Sequence, residues 1–194
     1  ASDVYKRQIY NRKSIIAEQK QVQARECMEN VELPLLRCII PSRANIEYLN
    51  SIEKKITEIN WQPDLIIASY HGIPKKYFEK GDPYHCYCQK TTRLIVESFH
   101  EIPIITTFQS RFGPQEWLQP YTDKTFEKLP NDGKKKILVI CPGFASDCVE
   151  TLEEINIQGK ESFLENGGEK FDLVPCLNDR DDHIDLLQNL TKNL

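Results

Sequence analysis

The chain has 194 residues, 40% of them apolar and 28% charged, with a net charge of −4 and a pI near 5.7. That composition supports one globular core, and an acidic balance without a dense Lys/Arg stripe argues against nucleic acid as a partner. No run approaches the roughly 20 apolar residues that span a bilayer as a helix, and peripheral membrane contact stays open. Seven scattered cysteines fit reduced thiols in a cytoplasm better than a disulfide framework.

Residues 1–34, which open on "ASDVYKRQIYNRKSII", show no clear period and read as a leader or the remnant of a preceding region. From Leu35 onward the elements alternate. "LLRCII" (35–40) is a strand, and residues 45–59 place Ile46, Leu49, Ile52, Ile56 and Ile59 at helical spacing. "DLIIASY" (64–70) is a continuous apolar run of the kind that marks a strand covered on both faces. Next come a helix over 88–99, a strand over 102–110, a short helix over 122–129 and a strand at "KKKILVICPG" (134–143). A long helix over 147–166 ends at Gly167-Gly168, where glycine accepts the left-handed cap conformation. A strand over 171–177 and a helix over 181–194 close the chain.

Such alternation predicts an α/β fold, with a parallel sheet of about four to five strands flanked by helices on both faces. In these sheets the chemistry sits in loops beyond the carboxyl ends of the strands. His71 follows the strand at 64–70, Gln109, Ser110 and Arg111 follow that at 102–110, and Asp147 and Glu150 follow that at 134–143. Three loops therefore face one rim.

Asp147, Glu150 and Glu154 fall at i, i+3 and i+7, which on an α-helix makes an acidic ridge. The Asp147–Glu150 pair also has the spacing of a capping box, so these two residues alone favour an ordinary helix cap, while Glu154 lies beyond the dipole's reach. A neutral imidazole and a line of carboxylates on one rim offer a proton acceptor and a path for a divalent cation. "HCYCQK" (85–90) lacks the second ligand pair of a zinc site, and no cysteine spacing suits an iron–sulfur cluster. Trp117 and Phe112, in a Gly/Pro-rich loop on the same rim, suit a satellite core or the wall of a flat ligand alike, and Phe144 adds an aromatic near the acidic ridge. Neither a phosphate-binding glycine loop nor a GxSxG elbow is present.

Taken together, "SYHGIPKKYFEKGDPY", "FQSRFGPQEWLQPYTD", "CPGFASDCVETLEEI" and "VPCLND" resemble, in order, the motifs of the ferrochelatase family. The resemblance covers roughly residues 34–194, expected to form a Rossmann-like C-terminal domain, and implies that most of the family's N-terminal half is missing from this chain. It implies insertion of Fe²⁺ into protoporphyrin IX, with iron as substrate and no cofactor required. By resemblance His71 faces the pyrroles with Glu150 opposite, and His71, Glu150, Asp147 and Glu154 handle the metal. Trp117 and Phe144 would pack on the macrocycle, Gln109 and Ser110 would line the pocket, and Cys148 stands where some relatives carry histidine. A non-catalytic tetrapyrrole- or metal-binding module, or a related chelatase acting on sirohydrochlorin, would be built on the same scaffold.

Overall fold

The structure, a computed structural model, describes residues 53–54, 56–98 and 102–192. The strand expected at 35–40, most of the helix over 45–59 and the boundary near residue 34 lie outside the described residues. The remaining elements are β1 (Leu65–His71), α1 (Lys75–Glu79), α2 (Tyr84–Ser98), β2 (Ile104–Gln109), α3 (Thr122–Lys128) and β3 (Lys136–Ile140). A π-helical segment (Glu150–Gly159) then runs straight into α4 (Lys160–Glu165), followed by β4 (Lys170–Leu173) and α5 (Asp181–Lys192).

The four strands form one sheet in the order β2-β1-β3-β4, and every pairing is parallel. Alternation along β1 builds two cores from one strand. Ile66, Ala68 and Tyr70 pack with Cys88 and Ile95 of α2, together with Leu138 and Ile140 of β3. Leu65 and Ile67 turn the other way, onto Phe126 of α3, Ile155 of the π-helical segment and Phe163 of α4. β1 is fully buried up to its last residue, His71, which is half-exposed. Burial on both faces explains why the strand reads as an unbroken apolar run rather than an alternating one.

The chain leaves β1 for β2 on one side and returns to β3 on the other, so the order reverses between β1 and β3. At such a switch point the two exiting loops diverge and leave a crevice. His71 ends β1 there, and the loop after β3 carries residues 141–149 into the π-helical segment.

Two elements differ from the sequence expectation. α2 starts four residues early, because Asp82 Oδ1 accepts the Tyr84 N–H (2.9 Å) and caps that end. The long helix begins near Glu150 and is π-helical for its first ten residues, so Asp147 precedes it rather than sharing its ridge. The expected stop holds, with Gly167 at φ +97°. No described helix is long and apolar enough to cross a membrane.

Candidate active site at the sheet switch point

His71 is paired in register with Gln109 at the end of β2. Its Nδ1 lies 2.7 Å from the Gly72 carbonyl. A carbonyl can only accept, so Nδ1 carries a proton and Nε2 is the nitrogen left to face the crevice. The Tyr84 hydroxyl donates to the His71 carbonyl (2.8 Å), and the Phe144 ring lies 6.3 Å from the imidazole. Gly72 is needed behind it, since a Cβ would stand 2.8 Å from the Gln109 carbonyl and 3.3 Å from the Trp117 ring.

Gln109 is 2% exposed and joins the two arms of the site. Its Nε2 donates to the Glu150 carbonyl (2.7 Å), while its Oε1 accepts from the Ser69 hydroxyl (2.7 Å). Ser69 in turn meets Thr122 at 3.0 Å, and Thr122 donates to Thr107. These buried hydroxyls orient the amide, and none stood out in the sequence. The only signal was polar residues, Ser69 and Thr107, inside apolar runs.

Glu150 is half-exposed. The Cys148 thiol holds its carboxyl below the usual range, assisted by its own backbone and by the charge of His71. Glu154 is gripped twice by Ser110, through the backbone N–H (2.7 Å) and the hydroxyl (2.6 Å). Ser110 adopts φ +63° to do so, a left-handed conformation that is uncommon outside glycine. In the i→i+5 ladder of a π-helix, residues four and five apart come together, which sets Glu150 and Glu154 along one side.

Asp147 caps no amide of the segment's first turn. Its Oδ1 accepts from the Thr151 hydroxyl (3.1 Å) and the Cys176 N–H (3.3 Å), and its Oδ2 from Asn178 Nδ2 (2.8 Å). Burial pushes its pKa up, but the bonds from Asn178, Cys176 and Thr151 together outweigh it and leave the carboxyl below the ordinary value. Trp117 is 9% exposed and donates from Nε1 to the Phe112 carbonyl (3.0 Å), so it packs beneath the His71–Gly72 turn. Phe112 itself is 83% exposed. Among the described residues no three His, Cys, Asp or Glu side chains are grouped closely enough to hold a metal ion.

A parallel sheet covered on both faces, with an imidazole and carboxylates at its strand-order reversal, defines an α/β protein of the doubly wound class, in which ligands are bound at the switch point. The model of the ferrochelatase family matches residues 6–194. Ferrochelatase of Rhizobium etli (strain CIAT 652) is 53% identical over 165 residues, covering 82% of this chain and 48% of that protein. Ferrochelatase of Rhizobium meliloti is 52% identical over 165 residues (82% and 49%), and that of Teredinibacter turnerae 46% over 164 residues (81% and 44%). The chain belongs to the ferrochelatase family. It spans about half the length of the curated relatives it matches.

Proposed function

We propose that this chain supplies one wall of a ferrochelatase site, which inserts Fe²⁺ into protoporphyrin IX to give protohaem. The observation that carries the reading is the Gln109–Glu150 bond. It ties the end of β2, where Gln109 is His71's register partner, to the start of the π-helical segment, which supports a reading with a base and an acid facing one crevice.

Metallation replaces two pyrrole N–H protons with one divalent cation. In this proposal Nε2 of His71 takes the two protons one at a time, releasing the first to solvent at its half-exposed edge before accepting the second, since Nδ1 is committed to Gly72. Glu150, kept ionised by its neighbours, presents negative charge to the entering cation. Glu154 extends that charge along the segment, while Asp147, with both oxygens already engaged, contributes field rather than a free ligand. Phe144 offers an aromatic face beside the imidazole, suited to a flat macrocycle. Trp117 supports the turn from beneath. A macrocycle pressed against such a wall can spend binding energy on distortion that exposes its nitrogen lone pairs. A cytoplasmic setting belongs to the same proposal, supported by buried free thiols at Cys88, Cys141 and Cys176.

The test is fluorescence titration of the 194-residue chain with protoporphyrin, followed by Zn²⁺ or Fe²⁺ without oxygen. Quenching with metallation, lost in Glu150→Gln and in His71→Ala, is the expected result. Quenching without metallation would make the chain a binding wall only, and no quenching would refute a self-sufficient porphyrin face.

A further inference from the structure

Asn178 lies in the loop after β4, yet every polar group of its side chain is committed to the loop after β3 or to its own turn. Its Oδ1 accepts the backbone N–H of Asp147 (2.8 Å). Its Nδ2 donates to Asp147 Oδ2 (2.8 Å) and to the Cys176 carbonyl (3.0 Å), and its backbone N–H donates to the Ala145 carbonyl (3.1 Å). The residue holds φ +50°, a conformation asparagine tolerates better than most. Its own carbonyl accepts from Nδ1 of His183 (2.6 Å), a histidine on α5 that is 6% exposed. On the far side of Asp147, the Thr151 hydroxyl donates to the carboxylate and also accepts the Cys148 N–H (3.0 Å). A continuous chain of bonds thus runs from α5 through Asn178 and Asp147 to the first turn of the π-helical segment.

We propose that Asn178, seated by His183, is a positioning residue that clamps Asp147 and thereby fixes the loop from which Glu150 faces His71. It touches no reacting group and acts only through Asp147. The physical basis is a hydrogen bond from a neutral amide to a carboxylate, stronger than a neutral pair. Its value for metallation rests on the function proposed above, but the clamp itself does not.

The experiment is native-state hydrogen exchange of the 194-residue chain, read by NMR without porphyrin or metal, so a failed metallation reading would leave its outcome untouched. The reporters are the amides of Thr151 and Leu152, which bond the Cys148 carbonyl, with β1 amides Ile66 and Ile67 as the core reference. Asn178→Gly keeps the left-handed backbone and removes only the side chain. It should speed exchange at Thr151 and Leu152 by about ten-fold or more while the β1 amides change by less than about two-fold. Asn178→Asp sets a second carboxylate against Asp147 and should be worse than glycine, and adding Asp147→Asn should reverse the excess. Equal acceleration of loop and core, no acceleration, or an Asn178→Asp variant no worse than Asn178→Gly would overturn the proposal.

Discussion

Replacing Gln109 by glutamate changes one NH₂ into an oxygen at the joint between the two arms of the site. Ser69 can still donate to the retained oxygen, but the new atom faces the Glu150 carbonyl across 2.7 Å, where only a protonated acid can bond. At 2% exposure the folded state therefore keeps the introduced carboxyl protonated, raising its pKa above the unfolded value of about 4.3. Below that value both states bind the proton, and the variant should lie close to wild type. Above it the unfolded chain ionises while the folded one does not, so the stability gap widens by about 1.4 kcal/mol per pH unit. A rise of about three units, ordinary for a buried carboxyl, brings the gap to about 4 kcal/mol near neutrality. Urea unfolding of both proteins from about pH 4.5 to about pH 7.5 measures it. A gap that stays flat with pH, or is already large at the acid end, would refute the assignment of that hydrogen bond.

Two further outcomes follow from the carboxylate contacts. Ser110→Ala loses the hydroxyl bond to Glu154 and keeps a left-handed backbone, costing about 1.5–3 kcal/mol. Ser110→Gly should recover up to about 1 kcal/mol of that loss, so chemical denaturation must rank glycine above alanine. Asp147, whose folded pKa is lowered, stabilises the fold above its unfolded pKa and loses that contribution as pH falls through the folded one. Asp147→Asn should accordingly lower the melting temperature at neutral pH, and the difference should shrink as the medium is acidified below about pH 4.

The parallel sheet was legible because β1 and β3 are buried on two faces, which leaves apolar runs that only a covered strand can use. The rim was legible because strand ends in such a sheet point the same way. His71, Gln109 and the loop holding Asp147 converge there by topology alone. What escaped was contact chemistry. Apolar spacing over 147–166 looks α-helical, since Ile155 and Phe163 meet the core under either winding, so the period carries no trace of the π geometry. Asn178 entered only within the "VPCLND" motif, because its partner Asp147 lies 31 positions away. The pairing of Ser110 with Glu154, 44 positions apart, is silent in the sequence for the same reason.

The π-helical winding of Glu150–Gly159 also governs how this arm tolerates changes of length. An i→i+5 ladder holds more residues per turn than an α-helix. Deleting one residue from the segment would let it rewind as ordinary α-helix and still meet α4 in line, with little loss of continuity. The rewinding would nevertheless turn Glu154 away from Ser110 relative to the fixed end at Gly159, where Phe126 packs too closely to admit even a Cβ. Register rather than helicity is therefore what this stretch guards, and a shortened version would fold smoothly around a dismantled acidic line.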